Sequence, residues 1–198
     1  NSNLITKSRI SFTNQVRGRM SKLKELTWAN HQKAERTNHA SKLLRGMTPE
    51  EYHRYLYNQY VMYAVLESQA TEYGVLEGIE DIARAEAIRK DLEELEVAHG
   101  IERNGDLLCQ VVADYTDYCM HMEDREEFLA HLYVRHFGDM YGGQMIKKRN
   151  PGSGKMYDFN NVEELKTTVR AMLTDDMAPE ANTCFEFAMQ LFEELDNE

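Results

Sequence analysis

Apolar residues recur along most of the chain at the spacing of α-helices. Leu56, Tyr60, Tyr63 and Leu66, for example, follow one another at intervals of three or four residues, whereas the polar–apolar alternation typical of exposed strands never persists. Glycine and proline, which weaken helices, occur only 11 and 3 times in 198 residues. The sequence therefore predicts an all-α protein, a single compact multi-helix domain, with helices over residues 20–44, 49–72, 80–98, 105–121, 125–149, 162–175 and 179–195.

Capping residues indicate where several of these helices start. Thr48, Pro49 and Glu51 stand at the N-cap, first and third positions of the second predicted helix, which is the pattern of a capping box followed by the proline that first turns favour. Asp124 and Asn161 precede acidic first turns in the same way. We therefore expect their side chains to cap the helices over 125–149 and 162–175.

Three glycines, Gly138, Gly142 and Gly143, lie close together inside the helix over 125–149. Each costs about 0.5–1 kcal/mol relative to alanine, so together they forfeit roughly 2–3 kcal/mol of helix stability. Two of them, Gly142 and Gly143, share one stripe of the helix with Arg135 and Asp139. Such a stripe lets the backbone approach a flat ligand or a second helix. The aspartate on it needs a partner, and Arg135 one turn earlier is the candidate.

The first predicted helix offers a facing surface. Lys24, Trp28, His31 and Glu35 share one of its faces at intervals of four, three and four residues. Glu35 is placed to accept the Nδ1 proton of His31, which would leave Nε2 free to bind a metal. On spacing alone, a structural role for His31 stays the commoner interpretation.

Charge is spread unevenly along the chain. The formal net charge is −11, which argues against general binding of nucleic acids. The first 24 residues nevertheless contain no acid and six basic residues, Lys7, Arg9, Arg17, Arg19, Lys22 and Lys24. We interpret residues 1–20 as a basic N-terminal arm or partial helix before a helical domain over 21–198. An acid-poor start of this kind also resembles the remnant of an organellar transit peptide.

Cysteine usage and hydropathy bear on the compartment. Cys109, Cys119 and Cys184 are widely spaced, odd in number and outside any CxxC pair, which favours free thiols in a reducing compartment. No stretch approaches the eighteen or so apolar residues that a membrane span requires. We expect the cytoplasm or, alternatively, the plastid stroma.

A carboxylate-bridged di-iron site is a rival hypothesis. Glu50 and His53, and likewise Glu96 and His99, have the Glu-x-x-His spacing that such helical sites use. Glu50, however, belongs to the first turn of the helix that Thr48 and Glu51 cap, and His99 precedes Gly100 at a predicted helix end.

Three segments resemble the heme oxygenase family: HLYVRHFGDMYGGQMIKK at 131–148, HQKAE at 31–35 and FEFAMQLFEEL at 185–195. The resemblance runs from about residue 22 to the end of the chain. It implies a fold in which heme lies between a proximal helix and a kinked distal helix. It also implies cleavage of heme, which is both cofactor and substrate, at the α-meso carbon to biliverdin, CO and ferrous iron, with O2 and electrons from an external reductase. A heme carrier or sensor on the same fold is the alternative.

The resemblance also implies roles for individual residues. His31 would be the axial ligand of the heme iron, with Glu35 bonded to its other nitrogen. Asp139 would act through ordered water, with Arg135 and Tyr63 in the same network, and Gly138, Gly142 and Gly143 would let the distal helix lie on the heme. The heme propionates would be held by Lys24, Tyr133, Lys166 and Arg170, and the walls would include Phe185 and Phe192. For Lys166 and Arg170, helix salt bridges with Glu163 or Glu164 remain an alternative.

The chain departs from the family pattern at several positions of the distal segment. Val134 replaces a usual threonine, His136 and Phe137 replace a usual Tyr-Leu pair, and Tyr141 stands where a small serine is common. The resemblance further implies ferredoxin or a similar acidic electron donor, and a downstream bilin reductase. Basic residues that suit an acidic partner are those of the arm together with Lys147, Lys148, Arg149 and Lys155.

Overall fold

The structure, a computed structural model, describes residues 22–197. This part is all-α, as predicted, and no strand occurs within it. Its α-helices are α1 (22–35), α2 (Asn38–Arg45), α3 (Pro49–Glu72), α4 (Ala85–His99), α5 (Gln110–Met120), α6 (Arg125–Arg149), α7 (Val162–Met172) and α8 (Ala178–Asp196). Short 3-10 turns occur at Glu80–Ile82, Gly105–Leu107, Lys155–Tyr157 and Asp175–Met177. The predicted arm over 1–20 lies outside the described residues.

The predicted bounds of α3 and α6 are confirmed, and those of several other helices need correction. The helix expected over 20–44 is two helices, because Thr37 leaves the helical conformation and its hydroxyl accepts a hydrogen bond from the Ala40 amide at 3.2 Å. The helices expected from residues 80 and 105 begin with 3-10 turns, so that α4 and α5 start only at Ala85 and Gln110. The helix expected over 162–175 ends at Met172.

Only one of the three predicted side-chain caps forms. The capping box at α3 is confirmed: Glu51 N lies 3.2 Å from Thr48 Oγ1, and Thr48 N lies 3.2 Å from Glu51 Oε1. Asp124 and Asn161 do occupy the N-cap positions of α6 and α7, but neither side chain accepts a capping hydrogen bond. Asn161 has a φ of 55°, and this left-handed backbone replaces the extended one from which an N-cap side chain reaches the first turn.

Two clusters of buried apolar residues form the core around α3. Its residues Met62 and Leu66 pack into one cluster with α5 and α6, whereas Tyr52 and Leu56 pack into the other with α4 and the turn at Lys155–Tyr157. Because α3 is buried on both sides, its apolar residues run round the helix instead of along one stripe. No helix within residues 22–197 has both the length and the apolar character that crossing a membrane requires.

Side-chain hydrogen bonds hold both ends of α6. At its C-terminal end Asn150 Oδ1 accepts from Met47 N at 3.0 Å, and Asn150 Nδ2 donates to Leu43 O and Ile146 O at 2.8 Å each. In its first half His131 is fully buried and lies 2.7 Å from the Tyr115 hydroxyl on α5 and 2.9 Å from Glu180 Oε1 on α8. The glycine-bearing middle of α6 lies between these two attachments.

Candidate functional site

The glycines of α6 do not all face the same way. A Cβ added at Gly138 or Gly142 would meet nothing within 4 Å, whereas one added at Gly143 would lie 2.2 Å from Tyr157 Cδ1. Since successive helical residues are about 100° apart, Gly143 is on a different side from Gly142. The expectation that Gly143 belongs to the open stripe is therefore wrong, and its missing side chain accommodates the buried Tyr157 ring. The open stripe consists of Gly138 and Gly142.

Asp139 lies beside this open stripe and bonds to α3. The Tyr63 hydroxyl donates to Asp139 Oδ2 at 2.5 Å. Burial raises the pKa of Asp139 to about 7, although the Tyr63 hydrogen bond and the nearby charge of Arg135 act in the opposite direction. The carboxyl group therefore exchanges its proton near neutral pH.

The predicted pairing of Arg135 with Asp139 is wrong. Arg135 is buried and instead donates through Nε to the Tyr115 hydroxyl at 3.1 Å and through one terminal nitrogen to Gln59 Oε1 at 3.4 Å. Its second terminal nitrogen is buried with no hydrogen-bond partner among the described residues. A buried donor of this kind is the usual place for an ordered water. Tyr115 and Gln59 were missed at the sequence level, because nothing local marks a tyrosine or a glutamine as a partner from another helix.

Glu67 and His136 extend this polar region towards α4. Glu67 is buried and accepts hydrogen bonds from the backbone amides of Arg84 and Ala85, at distances of 2.6–2.9 Å, so it caps the first turn of α4 from a distant part of the chain. His136 is fully buried, and its Nε2 lies 3.2 Å from Glu67 Oε2. Its ring is 5.0 Å from that of Tyr63. His136 is therefore packed in the interior, and its Nε2 is engaged by Glu67.

His31 lies on α1 with part of its ring accessible. Its Nε2 is 2.7 Å from Glu35 Oε1, so the predicted pair forms, but through the nitrogen opposite to the predicted Nδ1. The ring stacks on Trp28 at 5.3 Å and meets the edge of Phe185 on α8 at 5.8 Å. The side chain of His31 is 39% exposed, which leaves room for a ligand at the second nitrogen.

Two asparagines fix α1 against α8. Asn30 Nδ2 donates to Asn182 Oδ1 at 3.0 Å, and Asn182 Nδ2 donates to Leu26 O at 3.3 Å. These bonds fix the position of α1, and with it that of His31, relative to α8. Neither asparagine was predicted, since a polar residue on a helix surface carries no sequence signal for such a contact.

Cationic and aromatic residues gather at one edge of the open stripe. Lys166 Nζ lies 4.1 Å from the centre of the Tyr141 ring, and the Arg170 guanidinium lies 5.6 Å from the same ring. Burial raises the pKa of Tyr133, and a hydrogen bond with Thr27 and the charge of Arg170 offset part of that rise. The Nζ atom of Lys24, which lies one turn before Thr27 on α1, is 5.8 Å from the centre of the Trp28 ring. The four residues predicted to bind carboxylates thus come from α1, α6 and α7.

Other predicted residues lie further away. Phe192 is partly buried against a core cluster and stacks on the buried His39 with ring centres 4.9 Å apart, whereas Phe185 contacts His31 directly. The two Glu-x-x-His motifs meet only through His53 Nε2 and Glu96 Oε2, which lie 3.0 Å apart. Glu50 and His99 are exposed, and Glu96 is bonded by His53 and Arg103. Residues 22–197 contain no group of three or more side chains arranged to hold a metal ion.

Comparisons with known proteins show the family and the fold of the chain. The model of the family described as heme oxygenase matches residues 19–194. The chain is 28% identical to heme oxygenase 2 of Rattus norvegicus, over 88% of the chain and 64% of the rat protein, so it spans less than two thirds of that relative. It is also 28% identical to heme oxygenase of Pyropia yezoensis, with 88% of the chain and 84% of the relative covered.

Solved structures show the same fold. The crystal structure of heme oxygenase-1 from Synechocystis sp. PCC6803 in complex with heme superimposes with a TM-score of 0.76 at 23% identity, covering 90% of this chain and 92% of that one. The structure of heme oxygenase from Leptospira interrogans gives the same TM-score and identity, with 88% and 98% covered.

Proposed function

We propose that the protein is an enzyme that cleaves heme at the α-meso carbon to biliverdin, CO and ferrous iron. The premise is that the chain belongs to the heme oxygenase family. The observation that carries the proposal is the open stripe of Gly138 and Gly142 on α6, beside a carboxyl group that titrates near neutral pH. A flat macrocycle fits against a backbone without side chains, and the accessible imidazole of His31 suits an iron ligand.

The residues of α1 would hold the iron. His31 would bind it through one ring nitrogen while Glu35 accepts the proton of the other, which fixes the tautomer and the orientation of the ring. Trp28 and Phe185 pack against two sides of the imidazole and limit its rotation. Bound heme supplies the iron that activates O2 and the carbon skeleton that is cleaved.

The residues of α6 and α3 would manage protons on the other face. Asp139, held by Tyr63, would orient water and exchange protons with it, because its pKa of about 7 lets it act both as acid and as base. The unpartnered nitrogen of Arg135 is a second donor for such water. In this proposal Gly138 and Gly142 keep the distal backbone close to the macrocycle, whereas Gly143 has a packing role against Tyr157.

Electrons would come from a ferredoxin or a similar acidic donor, and a bilin reductase would take up the product. Of the predicted basic residues, Lys147 bonds to Asp158 and Lys155 to Glu94, whereas Lys148 and Arg149 are exposed. An electrostatic docking of this kind requires turnover to fall with ionic strength at limiting ferredoxin. Turnover that is independent of salt would remove an acidic donor from the proposal. Cys109, Cys119 and Cys184 are buried thiols, which suits a reducing compartment, for which we propose the cytoplasm or the plastid stroma.

One assay tests the function. Heme added to the purified protein should give a Soret band, and reductant with O2 should then bleach that band as biliverdin forms. A band that persists under turnover conditions would identify a heme carrier or sensor instead, and no band at all would refute heme binding. His31→Ala should change the spectrum of the bound iron. The matched control is His121→Ala, since His121 is an exposed histidine at the end of α5, outside both helices of the site.

A further inference from the structure

A ladder of aromatic rings on α6 faces a pair of cations on α7. Tyr133, Phe137 and Tyr141 follow one another at four-residue intervals, with ring centres 5.7 Å and 6.2 Å apart and edge-to-face geometry. Opposite them, Arg170 lies 5.8 Å from the Phe137 ring and 5.6 Å from the Tyr141 ring, and Lys166 lies 4.1 Å from the Tyr141 ring. Tyr141 is the member of the ladder that contacts both cations.

The aromatic face holds these cations without using up their hydrogen-bond donors. A ring attracts a cation through its quadrupole, and this attraction is weaker than a charge-assisted hydrogen bond to a carboxylate. Within residues 22–197 Lys166 has one acidic partner, Glu163, whose carboxylate lies 3.6 Å away on the same helix and whose side chain is 89% exposed. An incoming carboxylate can therefore take both cations from the ring, and finds them already in place.

The position of Tyr141 ties the cation pair to the open stripe. Tyr141 directly precedes Gly142 and follows Gly138 by three residues, so its ring stands at the border of the exposed backbone. It is itself 57% exposed, although it is a large aromatic residue. A ligand that lies on Gly138 and Gly142 would present its edge to Lys166 and Arg170.

We propose that Tyr141 is a positioning residue, which holds Lys166 and Arg170 ready for the carboxylates of the ligand and thereby contributes to affinity for acidic macrocycles. The inference rests on the proposed function, because it takes the ligand to be heme, whose edge carries two propionate groups. It goes beyond that function in assigning a role to a residue that departs from the family pattern. The ring acts through the cations and need not touch the heme.

Paired ligands and paired variants test this role. Heme and heme dimethyl ester, in which both carboxylates are masked, are titrated by Soret absorbance into wild-type protein, Tyr141→Phe and Tyr141→Leu. Tyr141→Leu removes the quadrupole but keeps an apolar side chain, and Tyr141→Phe keeps the ring. We expect Tyr141→Leu to weaken heme binding about three- to tenfold, Tyr141→Phe to stay within about twofold of wild type, and all three proteins to bind the ester equally.

A further variant checks the route of the effect. In a Lys166→Met/Arg170→Met background, Tyr141→Leu should have no additional effect on heme affinity. Equal heme affinities for Tyr141→Leu and Tyr141→Phe would overturn the proposal, and so would an equal loss of ester and heme binding, which would show that the ring contacts the macrocycle itself. These results leave the proposed function intact. Failure of the wild-type protein to bind heme would instead refute the function and, with it, this inference.

Discussion

Adding one methyl group at either of two neighbouring glycines of α6 should change stability in opposite directions. At Gly142 the new Cβ meets nothing within 4 Å, so Gly142→Ala gains only the higher helix propensity of alanine, up to about 1 kcal/mol. At Gly143 the new Cβ would lie 2.2 Å from Tyr157 Cδ1 and 2.8 Å from Tyr157 Cγ. Both distances are far shorter than an ordinary carbon–carbon contact, so the helix or the ring has to move.

The Tyr157 ring has little freedom to retreat. Tyr157 is 2% exposed, and its carbonyl oxygen accepts from Gln144 Nε2 at 2.8 Å. The preceding residues of its 3-10 turn are held by Asp91, which accepts from Lys155 N at 2.9 Å and Met156 N at 2.8 Å. Overpacking in such a place costs about 3 kcal/mol, the upper end of the usual range. After the propensity gain of about 1 kcal/mol, Gly143→Ala should destabilise the fold by roughly 2 kcal/mol.

Urea unfolding of the heme-free proteins, followed by far-UV circular dichroism, measures the difference. The two variants should differ by about 3 kcal/mol at an unchanged m-value, with Gly142→Ala above wild type and Gly143→Ala below it. If Gly143→Ala is as stable as Gly142→Ala, the contact between Tyr157 and α6 is not as described. Heme affinity should change in the direction opposite to stability. Gly142→Ala, although more stable than wild type, should bind heme more weakly because its methyl group occupies the open stripe.

Three further predictions concern ionisation and capping. Burial raises the pKa of Asp139 from 3.8 to about 7, so ionisation costs stability as pH rises; relative to Asp139→Asn, heme-free wild type should lose about 2 kcal/mol between pH 5 and pH 7. Burial lowers the pKa of His39 from 6.5 to about 4, so protonation costs stability as pH falls. Relative to His39→Gln, the free energy of unfolding of wild type should therefore drop by about 2 kcal/mol between pH 7 and pH 5. Parallel urea curves at each pH check both, and pH-independent differences would contradict them. Thr48→Ala should lower stability by about 1 kcal/mol at neutral pH through loss of the capping box, whereas an unchanged midpoint would mean that the box contributes nothing.

The helices that sequence reasoning located best are those with local start signals. α3 opens with a capping box and α6 follows a clear loop, and both agree with prediction over their full length. The break between α1 and α2 was missed because Thr37 is flanked by ordinary helix-compatible residues. Its capping role depends on α2 packing against α6 and α8, and that contact has no local signature.

The same distinction applies to the candidate site. The contact between His31 and Glu35 follows from spacing on one helix and was predictable. The partner of Asp139 was assigned by the same rule to Arg135 and was wrong, because Tyr63 on α3 reaches the carboxylate across the core. Gly143 was misplaced for a related reason, since the sequence does not reveal that Tyr157 returns to pack against that side of α6.

The attachments at the two ends of α6 determine how the glycine-bearing segment can move. Asn150 fastens one end, and His131 with Tyr115 and Glu180 fastens the other. Between these attachments Gly138 and Gly142 carry no side chains, so α6 can bend there, while Asp139 stays bonded to Tyr63 and Gly143 stays packed on Tyr157. Ligand entry should therefore bend the centre of α6, while the residues that attach it at His131 and Asn150 keep their positions. In amide hydrogen exchange, the largest ligand-dependent protection would then fall around residues 138–142, with little change near His131 or Asn150.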